Sequence, residues 1–235
     1  YNQEELSNEI ILNLDFARAN MKSLIYDQAI LEGISTTFPD TEAIIDNGKV
    51  NNMSTEDVMK IINLKHAWEF ILDKDVVLSP TNFYICQYIA KLINEGFFYE
   101  GGRIRQIPVN IGGSTYKPPV PIENIVRERI SDIINSSLDD IDKAIELTLF
   151  VMKTQVFIDG NKRTAIIFAK ISSNSIWLEI RSEYSNSSKA RYALTLKSNI
   201  HSGSFLYSEI FLTTLSDIPR PVSNTDLVSV EKPYL

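Results

Sequence analysis

The chain of 235 residues has one cysteine, two histidines, nine glycines and nine prolines, and no apolar run approaching the length of a membrane span. Each scarcity excludes something. Cys86 has no second cysteine to pair with, and its apolar helical neighbours Ile85, Tyr88 and Ile89 mark it as a buried structural thiol in a reducing compartment. His66 and His201 lie far apart, without a partner at i+3 or i+4, so a histidine zinc site is not expected. Apolar stretches such as Ala165 to Ala169 fall far short of the roughly 18 residues a bilayer requires. No charged-then-apolar leader opens the chain, and a soluble, cytoplasmic protein is expected. The first residue is Tyr1 rather than Met, from which a few missing N-terminal residues are expected. The net charge of −7 excludes a nucleic-acid binder that works through bulk positive charge and counterion release, while leaving room for a small basic pocket.

What is present is the composition of a folded domain: 44% hydrophobic and 23% charged residues, enough to build a sizeable core. Glycines and prolines cluster, and between the clusters the pattern is helical. Leu6, Ile10, Leu14, Ala17, Met21 and Leu24 recur every three or four residues, the spacing of an amphipathic helix with one face on a core. Asn47-Gly48 reads as a turn. Ser54 followed by Asp57 resembles a capping box opening a helix through Ile61, Leu64, Trp68 and Ile71. Further helices are expected over about 81–94, 122–135, 139–152 and 162–174. Residues 101–121 break this pattern: Ile104, Val109 and Ile111 alternate with Arg103, Arg105 and Asn110 beside Gly112-Gly113, which favours a short β-hairpin. Arg103 and Arg105 there are expected to face a partner or solvent. Trp68 and Trp177 read as core aromatics. The stretch 218–235 reads as an extended tail or linker, which leaves 1–217 as a single domain.

One segment carries chemistry: Thr154-Gln155-Val156-Phe157-Ile158-Asp159-Gly160-Asn161-Lys162-Arg163-Thr164, set between two helical patterns. A Gly-Asn turn leads into a helix that begins with two cations. Unpaired amide donors and the helix dipole make such an end attractive to anions, and Lys-Arg there opposes the dipole unless an anion joins them. A multiply charged phosphate suits the place, and Asp159 is a hard oxygen ligand positioned for a Mg²⁺ on the same phosphates. The plain alternative is an ordinary connection between helices with solvated charges.

The run resembles the signature of the Fic family, HxFx(D/E)GNGRxxR, whose Doc relatives carry an NKR variant. Phe157, Asp159, Gly160, Asn161 and Arg163 match, and Lys162 matches the Doc-like form. The stretch from Gly102 through Ile111-Gly112-Gly113 to Pro118-Pro119 resembles the family's flap hairpin. Leu31-Glu32-Gly33 resembles its inhibitory-helix motif, (S/T)xxxE(G/N), and the likeness extends over about residues 20 to 212. The resemblance implies a mostly α Fic-type helical bundle with a small β-hairpin flap (about 101–119), an inhibitory-helix region (about 20–35) and a motif loop (155–166). It implies Mg-ATP bound at that loop, with Asp159 on Mg²⁺ and Gly160, Asn161, Lys162 and Arg163 on the phosphates. Phe157 would anchor the loop in the core, and Ile111, Gly112 and Gly113 of the flap would border the nucleotide. A partner protein's extended segment would add to the flap by strand pairing and receive AMP on a Tyr, Thr or Ser hydroxyl. Tyr192 and Asn199 fall where family members contact the adenosine.

Four positions depart from the two motifs. Gln155 stands where the family's histidine takes the proton from the attacking hydroxyl, and an amide cannot take up that proton near neutral pH. Lys162 replaces glycine, as in the branch associated with γ-phosphate transfer. Ile166 stands where a second arginine would pair with the inhibitory glutamate, which leaves Lys162 and Arg163 as the cations Glu32 could meet. Gln28 replaces the Ser or Thr of the inhibitory motif. Three readings therefore stay open: AMP transfer, which the Asp159-Gly160 pair and Glu32 favour; a silent nucleotide- and protein-binding module; and Doc-like phosphoryl transfer.

Overall fold

The computed structural model describes residues 7–111 and 115–171. They form eight helices: α1 (Asn8–Leu31), α2 (Phe38–Ile45), α3 (Thr55–Ile71), α4 (Lys74–Leu78), α5 (Phe83–Ile93), α6 (Glu123–Ile134), α7 (Asp140–Thr154) and α8 (Asn161–Ile171). Among the described residues no helix is long and apolar enough to cross a membrane.

Helix starts follow local chemistry. Ser7, Thr37, Ser54, Asp73, Asn82 and Asp139 each place a side-chain oxygen on a backbone N–H of the first turn, satisfying donors that have no partner within the helix. The Ser54 cap expected from sequence accepts from Asp57 N at 3.0 Å. The first helix runs past Leu24 to Leu31, which carries its C-terminal end to the motif loop. α2 and α4 are too short to show a period in the sequence. Asn47 ends the turn after α2 in the left-handed region, at φ 61°.

The core is built where α7 lies on α8, and α5 lies on both α3 and α8. Trp68, Ile61, Ile89, Ile93, Leu147, Ile167 and Phe168 are among its largest fully buried side chains, together with Phe157 from the motif loop. Trp68 is thus a core aromatic, as expected; Trp177, Tyr192, Asn199 and the 218–235 stretch lie outside the described residues. Cys86 is fully buried and burial pushes its thiol pKa up, the environment of an inert thiol.

The hairpin expected over 101–121 is not shown. Among the described residues of this segment no strand forms, and its one bridge is antiparallel between Ile104 and Phe157 of the motif loop. Pro108, Pro118 and Pro119 remove three backbone donors from the two arms, which works against a ladder between them.

Near the end of α8, Lys170 is buried, and desolvation pushes its amine down from 10.5 to about 7. The unfolded chain regains the ordinary value, so between about pH 7 and pH 10 the unfolded state binds the extra proton and stability rises with pH. Lys170→Met is expected to flatten that rise, measured by urea unfolding at about pH 7 and about pH 9.

Candidate nucleotide site at the start of the eighth helix

The motif loop is closed by its own asparagine. Asn161 Oδ1 accepts from Phe157 N at 2.8 Å, and Asn161 Nδ2 donates to Phe157 O at 2.8 Å and to Gln155 Oε1 at 3.2 Å. The Phe157 ring is fully buried and stacks on Phe83 with centroids 6.4 Å apart, the core anchor expected from sequence. Gln155 caps α7 in the left-handed region at φ 49°, and its Nε2 donates to Met152 O at 2.7 Å. Both ends of the Gln155 amide are therefore engaged inside the loop.

Gly160 adopts φ 70°, and a Cβ there would stand 2.6 Å from Ile93 Cγ2. The position needs glycine twice, for its backbone conformation and for lack of room. Behind it Asn94, fully buried at the end of α5, donates through Nδ2 to Ala90 O, Gly101 O and Asp159 O at 3.0, 3.1 and 3.0 Å. One side chain thus ties α5, the 101 turn and the motif loop together. Gly101 makes this approach feasible, since a Cβ would lie 2.3 Å from Asn94 Cβ.

The charged residues converge at the first turn of α8. Arg163, with only 4% of its side chain exposed, brings Nη2 to Asp159 Oδ2 at 3.0 Å and Nε to Glu32 Oε2 at 3.1 Å. Lys162 Nζ lies 3.2 Å from Glu32 Oε1 and donates to Leu31 O at 2.7 Å. The Glu32 contacts are close ion pairs without straight hydrogen-bond alignment, and Arg163 Nη1 is buried without a hydrogen-bond partner. Glu32 arrives as the C-cap of α1. The cations that oppose the dipole of α8 thus meet a carboxylate, and Lys162 also answers the negative end of α1, where a cation is favourable. With Ile166 in place of an arginine, Glu32 meets the two cations the sequence left for it.

Gln28, one turn before Glu32 on the same face of α1, donates from Nε2 to Arg163 O at 3.0 Å and accepts from Trp68 Nε1 at 3.1 Å. This buried link fixes the end of α1 against the start of α8. The residue was noticeable in sequence only as a departure from a motif; its bonding partners lie far away in the chain.

Arg105 corrects another expectation. It is buried, 3% exposed, and faces neither partner nor solvent; its guanidinium donates to backbone carbonyls of Ile107, Thr154, Gln155, Pro118 and Pro119. Arg103 is exposed and paired with Glu100 at 2.7 Å. Ile111 is half-buried at the edge of the described segment, and Gly112 and Gly113 lie outside the described residues. Asn94 and Arg105 are the residues of this site that sequence reasoning missed or misplaced; the Gly101-Gly102 pair, a sign of close backbone approach, was the available signal for Asn94.

Among the described residues no three His, Cys, Asp or Glu side chains gather in a metal-binding cluster. The donor set fits a nucleotide-borne Mg²⁺ better than a protein-caged ion: Asp159 offers a half-exposed carboxylate, 54% of its side chain accessible, and Arg163 Nη1 is a buried donor without an acceptor.

Residues 81–172 match the model of the Fic/DOC family, and this segment of the chain is a Fic domain. The family is generally one of nucleotide transfer. Fic-1 from C. elegans is similar at 22% identity and TM-score 0.56, over 79% of this chain and 58% of that one. A Fic family protein from Desulfovibrio desulfuricans G20 shows 14% identity and TM-score 0.56, over 77% of this chain and 65% of its own. A Fic domain containing signaling protein from Bacteroides thetaiotaomicron VPI-5482 shows 14% identity and TM-score 0.58, over 91% and 87%. The chain spans less than two thirds of the first two structures, and at these identities the likeness is one of fold. No curated protein matches.

Gly160→Ala is expected to cost about 1–3 kcal/mol from backbone strain alone, with displacement of Ile93 adding to it. Chemical denaturation of the variant beside the parent chain measures this.

Proposed function

We propose that this chain binds Mg-ATP at the Phe157–Arg163 loop and transfers AMP to a hydroxyl side chain of a partner protein seated on the 101–119 flap. The carrying observation is the anion site already formed at the start of α8, where Arg163 and Lys162 hold the Glu32 carboxylate. A site that grips one anion with a buried guanidinium and an ammonium in the first turn of a helix suits phosphate oxygens of the same charge. In this reading Asn161 and Gly160 shape the loop, Lys162 and Arg163 take the phosphates, and Asp159 holds Mg²⁺. The bound Mg²⁺ would supply charge neutralisation at the phosphates. Ile111, Gly112 and Gly113 border the nucleotide from the flap, and the compartment is a reducing cytosol.

Glu32 is the internal brake in this proposal, because its carboxylate competes with phosphate for the same two cations. That assigns the chain to the class with an N-terminal inhibitory helix, using Lys162 and Arg163 in place of a second arginine. Gln155 makes transfer slow: an amide cannot accept the hydroxyl proton, and loss of a general base costs about 10²–10⁴ in rate. One observation favours a second reading, a silent module that binds nucleotide and partner without transfer. The Gln155 amide is committed to Met152 O and Asn161 rather than free to orient a hydroxyl.

Incubation with ATP labelled at the α- or the γ-phosphate distinguishes these. The expected outcome is slow incorporation from the α position, raised about 10²-fold or more by Gln155→His. Incorporation from the γ position would mean phosphoryl transfer, and none from either, even with Gln155→His, would leave the silent module. Glu32→Gly is expected to tighten Mg-ATP binding by calorimetry; equal affinity in parent and variant would remove Glu32 from the proposal.

A further inference from the structure

We infer that Arg105 is a positioning residue: its buried guanidinium clasps the neck of the 105–119 loop and pins that loop to Thr154 and Gln155. Its Nη1 donates to Ile107 O at 2.8 Å on the outgoing arm, and its Nη2 to Pro118 O and Pro119 O at 3.3 and 2.6 Å on the returning arm. On the motif side, Nη2 reaches Thr154 O at 3.2 Å and Nε reaches Gln155 O. The Arg105 backbone N–H adds a bond to Val156 O at 3.0 Å. Three chain segments thus meet on one planar group.

The chemistry requires a guanidinium here. Pro118 and Pro119 present carbonyls but no N–H groups, so at these two positions the returning arm can accept hydrogen bonds but cannot donate them. A donor must come from elsewhere, and arginine supplies several in fixed directions where lysine offers a single point charge. The acceptors are the carbonyl of Thr154, the last residue of α7, and that of its C-cap Gln155; both lie at the negative end of the helix dipole, where carbonyls have no intrahelical partners. Burial lowers the pKa of Arg105, yet an arginine stays charged, so the clasp does not open with pH.

The placement matters for the site. Gln155 is held from two directions, its side chain by Met152 O and Asn161 and its carbonyl by Arg105. The loop beyond the neck carries the exposed apolar side chains Ile107 and Tyr116. The clasp therefore sets where a protein segment resting on this loop lies relative to Gln155, without touching the cations at Lys162 and Arg163. This role rests on the transfer reading above; the clasp itself does not.

Arg105→Lys tests both. Chymotryptic cleavage after Tyr116 and amide exchange at position 105 are expected to accelerate about tenfold, while amides of α8 keep their parental rates. In a chain also carrying Gln155→His and Glu32→Gly, self-labelling from α-labelled ATP is expected to fall about tenfold with the half-saturating ATP concentration unchanged. Unchanged cleavage and exchange would overturn the clasp, and a rise in half-saturating ATP equal to the loss of rate would overturn the positioning role. If both Arg105→Lys and Arg105→Gln fail to fold, Arg105 is a determinant of the fold and the inference is overturned. If the double-variant background takes up no label, the transfer reading fails, and the cleavage and exchange rates still decide the clasp.

Discussion

The turn between α7 and α8 is closed by Asn161, whose side-chain amide bonds both the N–H and the C=O of Phe157 while the Phe157 ring sits in the core. Two helices that pack on one another leave little room for the residues joining them, and the amide clamp satisfies backbone groups that would otherwise be buried without partners. Gly160 completes the turn in a conformation and a space that exclude a side chain. Once the loop is closed this way, α8 must begin at Asn161. Lys162 and Arg163 then fall in its first turn, and Asp159 falls one turn before Arg163, within ion-pairing reach.

From that constraint the electrostatics of the region follow. Two cations in the first turn of α8 are unfavourable for that helix alone, and α1 resolves the conflict by ending there with Glu32. Lys162 serves two helices at once, set against the dipole of its own and favourable at the C-terminal carbonyl of α1. Gln28 and Trp68 hold this meeting in register from within the core. A buried guanidinium facing a carboxylate is costly to desolvate, and removing one partner alone typically costs about 3–5 kcal/mol unless another anion replaces it. A competing phosphate would be such an anion, which is why one arrangement can serve both as a structural latch and as a binding site.

Much of the helical architecture was legible because it is written in local terms. The periodic apolar stripe of α1, the Ser54 cap and the helices near 122–135 and 139–152 depend on neighbours three or four residues away; the latter two helices form within a few residues of their expected bounds, while α1 runs seven residues past Leu24. The motif loop was legible for the same reason, since Phe157, Gly160 and Asn161 act within a span of five residues. The hairpin expected over 101–121 is not shown among the described residues: alternation of apolar and polar residues suggests strands, whereas the prolines of the segment withhold donors a ladder would use. Arg105 looked like a surface cation because nothing local shows that carbonyls from residues 107 to 155 gather around it.

The sequence by itself determined the longer helices, the Ser54 cap, the glycine-bearing turn and the concentration of cations after it, all features governed by backbone geometry over one or two turns. Only the tertiary structure decided what those cations meet and how the loop beside them is held. Glu32 and Lys162, Gln28 and Arg163, and Arg105 and Gln155 are pairs far apart in the chain. Their meeting is settled by which helix faces bury together, and the charged and polar groups then find partners because burial leaves them no water to use instead.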